Sequence, residues 1–138
     1  MKMMIAAALL AAPMQNDVRA DHFCSELQGL AAGAEESPAF ASLAGSSLHS
    51  LLQGYCVIGR PAETAILCTR SLLPDSITRD SLIARMEVCL PGLRVTRPAS
   101  IRDDILIEHG RLRIEMAENG GKGAHVGRII TLYIRAAR

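Results

Sequence analysis

Residues 112–116 read LRIEM, and residues 130–134 read ITLYI. In both segments apolar side chains occupy every second position, which is typical of a β-strand that buries one face. Folding the segments about Gly123 predicts an antiparallel hairpin whose apolar positions face each other, and a slip of one residue would destroy the match. The predicted partners are Leu112 with Ile134, Ile114 with Leu132, and Met116 with Ile130.

A second hairpin is predicted earlier in the chain. The segments YCVI (55–58) and AILCT (65–69) are apolar and rich in residues that favour strands, and the stretch Gly59–Glu63 between them has turn character. Pairing the segments about the centre of that turn sets Cys56 opposite Cys68. A further short strand over 105–108, followed by a turn or bulge, brings the expected sheet to about five antiparallel strands.

Three helices are predicted from apolar residues at helical spacing and from capping signals. They are a helix over 21–32, a short helix that begins at Pro38 with Ser37 as its cap, and a helix over 77–90 capped by Asp75 or Ser76. The element order is therefore α-α-β-β-α-β-β-β. This order predicts a single α+β domain in which helices cover one face of the sheet and leave the other largely open.

The first twenty residues have the pattern of a cleavable signal peptide. Lys2 precedes an apolar stretch of modest length, and Ala20 provides a small residue at which cleavage is expected. The alternative is an apolar N-terminal helix of a protein that is not exported. With the leader interpretation, residues 21–138 form the mature domain, which we expect in the periplasm or outside the cell of a bacterium.

The four cysteines predict two disulfides, because an even number in an exported chain usually forms bridges. Three pairings are possible. We favour Cys68 with Cys89 and Cys24 with Cys56, since the helix that carries Cys89 must pack on the sheet; a bond across the hairpin, between Cys56 and Cys68, is the alternative. The absence of any closely spaced pair of cysteines disfavours a zinc or redox site.

Composition and motifs exclude several classes of function. The 15 basic residues balance 14 acidic ones and only four residues are aromatic, so nucleic-acid binding is not indicated. No apolar run has the length of a membrane span. Gly120–Gly123 lacks the context of a phosphate-binding loop, and no serine lies in a nucleophile elbow. The adjacent carboxylates Glu35-Glu36 and Asp103-Asp104 are poor acid–base pairs, and we predict no cofactor, metal or catalytic residue.

The remaining signal is a group of arginines near the last hairpin. If Arg111, Arg113 and Arg135 share the open sheet face with Tyr133, they form a small basic patch suited to carboxylate or phosphate groups. The leading hypothesis is a small exported binding protein with a protein partner in the cell envelope. Its contact surface would be the open face with the loops Gly59–Glu63 and Asn119–Ala124.

Two alternatives remain open. One is a small envelope hydrolase whose histidine and carboxylate site is assembled only by the fold, with His49, His109 and His125 as the histidines to examine. The other is a structural envelope component that works as an oligomer. We expect a binding protein rather than an enzyme.

Overall fold

The computed structural model describes residues 22–43, 48, 51–52, 54–58, 65–99, 104–119 and 127–138. The predicted signal peptide over 1–20 lies outside these residues. So do the loop Gly59–Glu63 and, apart from Asn119, the loop Asn119–Ala124.

Two α-helices and six strands make up the described fold. Helix α1 covers residues 22–34, a short 3-10 helix covers Ala41–Leu43, and helix α2 covers Arg79–Cys89. The strands are β1 Tyr55–Ile58, β2 Ala65–Arg70, β3 Arg94–Thr96, β4 Ile105–His109, β5 Leu112–Asn119 and β6 Ile129–Ala136.

The six strands form one antiparallel sheet in the order β1-β2-β6-β5-β4-β3. The predicted α+β class is confirmed, and the sheet has one strand more than the five expected. The additional strand is β3, which pairs with β4. Three residues are too few to display an alternating pattern, so this strand was not predicted from the sequence.

The first hairpin has the predicted register, with Cys56 opposite Cys68. The second hairpin is shifted by two residues from the prediction: Ile114 lies opposite Ile134 and not Leu132, and Leu112 lies opposite Ala136. Because side chains repeat every two residues along a strand, this shift leaves the apolar faces matched. It also lets all eight residues of β5 pair with all eight of β6.

The core lies between the two helices and one face of the sheet. Phe23, Leu27 and Leu30 of α1 are buried, as are Leu82, Ile83 and Met86 of α2. The strand residues that are fully buried beneath them are Ile66, Cys68, Ile107, Leu112, Ile114, Met116, Ile130, Leu132 and Ile134. Every second residue of the central strands is therefore shielded from water, which is the main stabilising contribution to such a fold.

The helix boundaries differ from the predicted ones. Helix α1 continues through Gly33 to residue 34. The predicted short helix from Pro38 is wrong: Phe40 adopts a φ of 60°, which no α-helix accommodates, and only a 3-10 turn follows. Helix α2 begins later than expected, because its cap is Thr78 and not Asp75 or Ser76.

The cap of α2 is a reciprocal pair of hydrogen bonds. The Ser81 backbone N–H donates to Thr78 Oγ1 at 3.0 Å, and the Thr78 backbone N–H donates to Ser81 Oγ at 2.9 Å. This capping box satisfies two donors that a helix start leaves unpaired. The signal was present in the sequence as Thr-x-x-Ser, although serine replaces the more usual Glu or Gln.

The favoured disulfide pairing is wrong. The bridges are Cys24–Cys89, with Cα atoms 5.0 Å apart, and Cys56–Cys68, with Cα atoms 4.0 Å apart. Cys56 and Cys68 are direct cross-strand neighbours, so the hairpin register already brings them within bonding reach. Cys89 in the last turn of α2 instead meets Cys24 near the start of α1, so that each layer has its own bridge.

The two bridges are expected to stabilise the fold unequally. Cys24 and Cys89 are 65 residues apart in the sequence, and Cys56 and Cys68 are 12 residues apart. Replacing either pair by alanine frees the loop that its bridge closes. From the entropy of the closed loops we expect losses in the free energy of unfolding of about 4 and about 3 kcal/mol respectively. Urea unfolding followed by circular dichroism measures both, and a larger loss for the shorter loop would contradict the expectation.

Candidate functional site

The sheet face opposite the helices is the candidate site, and we call it the open face. Its most prominent feature is a row of three exposed apolar side chains, Val57, Leu67 and Tyr133, which we call the apolar row. Val57 lies opposite Leu67 and Leu67 lies opposite Tyr133, so the row crosses β1, β2 and β6 without interruption. The three residues are 48, 44 and 43% exposed. Such a continuous exposed apolar row is a feature of contact surfaces.

Ion pairs border the apolar row on the side of β5 and β4. Arg135 Nη2 lies 3.0 Å from Glu115 Oε1, and Arg113 Nε lies 3.0 Å from Glu108 Oε2. Glu115 is also the cross-strand neighbour of Tyr133, which places the first ion pair directly beside the end of the apolar row. The open face thus combines an apolar row with charges of both signs.

The predicted basic patch is only partly assembled. Arg113, Tyr133 and Arg135 do share the open face, but Glu108 and Glu115 pair with the two arginines and offset their charge. The expected cationic surface is therefore replaced by charges of both signs, because Glu108 lies directly opposite Arg113 and Glu115 lies diagonally across from Arg135.

Arg111 does not belong to the open face. Gly110 and Arg111 form the two-residue turn between β4 and β5. Gly110 takes the first position of this turn, where a positive φ is favoured, and its φ is positive. Arg111 Nε donates to Ala137 O at 2.9 Å, and the Arg111 backbone N–H donates to Glu35 Oε1 at 2.8 Å. Arg111 therefore ties the end of the sheet to the segment after α1.

The sequence predicts two of the three residues of the apolar row as neighbours. The predicted register of the first hairpin already sets Val57 opposite Leu67, on the face away from the buried Ile66. Their neighbour Tyr133 comes from β6, which is more than sixty residues away in the chain. No local pattern predicts which strand lies beside β2, so the complete row was missed.

Only two of the four histidines considered for catalysis lie among the described residues. His22 is exposed and His109 is partly buried at the end of β4, while His49 and His125 lie outside the described residues. In the part of the chain that the structure describes, no group of three His, Cys, Asp or Glu residues could hold a metal ion. The structure thus brings together no described group that favours the hydrolase alternative.

The adjacent carboxylates after α1 have structural partners. Glu36 Oε1 accepts a hydrogen bond from Ser42 Oγ at 2.6 Å, and Glu35 accepts the Arg111 N–H. Directly after them only the 3-10 turn Ala41–Leu43 forms, so their charge does not act at the start of an α-helix. Of the other pair, Asp104 is exposed and Asp103 lies outside the described residues.

Comparisons with known proteins find no relative of this chain: no family model, no curated protein and no solved structure matches it. Among the described residues, neither helix has both the length and the apolar character that crossing a bilayer requires. The function is therefore inferred from the geometry of the site itself.

The open face is expected to contribute little to folding. Ile114→Ala, which truncates a fully buried side chain of β5, should lower the free energy of unfolding by about 2–5 kcal/mol. Leu67→Ala, which truncates a half-exposed side chain of the apolar row, should lower the free energy of unfolding by about 1 kcal/mol. Urea unfolding of both variants provides the comparison. Equal losses would mean that the apolar row is part of the stabilising core.

Proposed function

We propose that this chain is an exported protein-binding module whose contact surface is the open face. The observation that carries the proposal is the apolar row, in which Val57, Leu67 and Tyr133 remain exposed on adjacent strands although the large apolar residues of β2 and β6 that point to the helix side are fully buried. Exposing such side chains to water is unfavourable, and a partner that covers them would recover that free energy.

The composition of the open face suits a protein partner. Protein interfaces combine an apolar centre, in which tyrosine is enriched, with a polar rim that fixes the orientation of the partner. Here the apolar row provides the centre, and the Arg135–Glu115 and Arg113–Glu108 pairs provide the rim. Three adjacent strands span only about 10 Å between the outer ones, so we expect this row to be the core of a larger contact.

Export is the second part of the proposal. Both disulfides need an oxidising compartment, which for a bacterial chain is the periplasm or the exterior. The apolar leader over residues 1–20 supports the same location. The bridge Cys56–Cys68 would also serve binding, because it fixes β1, which carries Val57 of the apolar row.

A pair of site-specific cross-linking experiments tests the binding proposal. A photo-crosslinking amino acid placed at position 67 should trap a protein partner in cells that make the exported chain. The matched control is position 88, because Val88 of α2 is 80% exposed but lies in the helix layer. Cross-linking of the same proteins with equal yield from both positions would contradict the proposal.

The trapped partner then allows a quantitative measurement with purified proteins. Leu67→Glu should weaken its binding by about tenfold or more, because a charge would be buried in the apolar centre without a partner. Val88→Glu introduces the same charge outside the open face and should leave the affinity unchanged. An equal loss for both variants would show that the change reflects net charge alone.

The export proposal has its own measurement, the intact mass of the protein made with its leader. We expect a mass that begins at Asp21 and that alkylation does not change until the protein is reduced, when four thiols react. A mass that retains residues 1–20, with four thiols that react at once, would contradict both export and the disulfides.

A further inference from the structure

A cavity of about 410 Å³ lies where helix α2 begins, on the side of the sheet opposite the open face. Three elements and one neighbouring residue surround it: the first turn of α2, the adjoining ends of β4 and β5, and the residue that follows β3. Arg128, just before β6, completes the wall, and Ile105 contributes a buried apolar surface. The volume is in the range of sites for small organic molecules.

Three guanidinium groups line this cavity, from Arg79, Arg97 and Arg128, together with two carboxylates, from Asp80 and Glu118. Among the described residues, the charged side chains that line the cavity sum to one excess positive charge. The cavity also lies at the positive end of the α2 dipole, which favours an anion. The Thr78–Ser81 capping box occupies part of this helix end, so the arginines must supply the direct contacts.

Arg97 and Arg128 retain unused donors that point to a ligand. Arg97 uses Nη1 in its 2.9 Å contact with Asp80 Oδ1. Arg128 uses Nη2 both for Glu118 Oε1 at 2.9 Å and for Ile77 O at 2.8 Å. A guanidinium carries five N–H groups on three nitrogens, so two nitrogens of each side chain have no partner among the described residues.

The two ion pairs differ in how firmly they hold their arginine. The Arg97 and Asp80 side chains are 53 and 79% exposed, and a pair so exposed to water contributes little. An incoming anion can therefore compete with Asp80 for Arg97. Arg128 is less exposed and is held by both Glu118 and the Ile77 carbonyl, so its guanidinium keeps a fixed position.

We propose that this cavity binds a small organic anion through a carboxylate or phosphate group. The planar fork of Arg97 or Arg128 matches the paired oxygens of either group, and Ile105 provides an apolar contact for the rest of the molecule. This site is separate from the open face, and its existence does not depend on the proposed protein-binding function.

Nuclear magnetic resonance titrations of the purified, oxidised protein test this site. Inorganic phosphate and succinate, added separately at low ionic strength, serve as the two probes. We expect a saturable response at the amides of Thr78, Arg79, Asp80 and Arg97 with at least one probe. The probe that binds more tightly identifies the anionic group, and the absence of a saturable response to both would overturn the proposal.

Three variants distinguish a built site from general attraction between charges. Arg97→Gln should weaken binding by about fivefold or more, because hydrogen bonds to a charged group are lost. Arg94→Gln is the matched control, since Arg94 lies three residues earlier, in β3, and does not line the cavity. Asp80→Asn should tighten binding, because it removes the competing carboxylate.

These variants lie at exposed positions, and their unchanged spectra away from the cavity would confirm that each one folds. Equal weakening by Arg97→Gln and Arg94→Gln would overturn the proposal, because binding would then follow net charge alone. Weaker binding by Asp80→Asn would overturn it as well, since Asp80 would then help to hold the anion.

Discussion

The eight cross-strand pairs between β5 and β6 are the constraint on which both faces of the molecule depend. These strands lie at the centre of the sheet, and their inward residues, among them Ile114 and Leu132, are completely buried under the helices. Alternation then requires the remaining residues to point to the other side. The same pairing that buries the core therefore displays Tyr133 and the ion-paired arginines on the open face.

The two layers are fixed by different covalent bonds. In the helix layer, Cys24–Cys89 joins α1 to α2, and Arg85 stacks over the Phe23 ring at 4.1 Å, a cation–π contact between the same helices. In the sheet, Cys56–Cys68 joins the edge strand β1 to β2. A short edge strand has few hydrogen bonds to hold it, so this bridge keeps Val57 in place beside Leu67.

The sequence predicts the fold class and the faces of the strands better than their exact partners. Alternation identified which residues of β5 and β6 are buried, but a period of two leaves the register open to shifts of two residues. The full overlap of eight residues, together with the pairing of β6 with β2, selects the register that is observed. The disulfide pairing failed for a related reason, because the approach of α1 to α2 leaves no local signal.

The candidate site was predictable where it rests on local geometry and not where it rests on long-range pairing. The first hairpin places Val57 beside Leu67, but the position of Tyr133 and the neutralising partners of Arg113 and Arg135 depend on strands distant in sequence. Counting every second residue places Arg111 on the same face as Arg113, but Arg111 lies in the turn that begins at Gly110 and does not share that face. The cavity beside α2 collects residues from α2, β4 and β5 and from the positions that flank β3 and β6, so no local pattern in the sequence predicts it.

Hydroxyl-radical footprinting in cells that produce the protein tests the central claim, that the open face is a contact surface. The quantity to measure is the oxidation of Tyr133 relative to that of the α2 peptide that contains Val88, in cells and in the purified protein. We expect this ratio to fall in cells, because a partner covers Tyr133 and leaves α2 accessible. An unchanged ratio would contradict the claim, since Tyr133 would then be as exposed in the cell as in isolation.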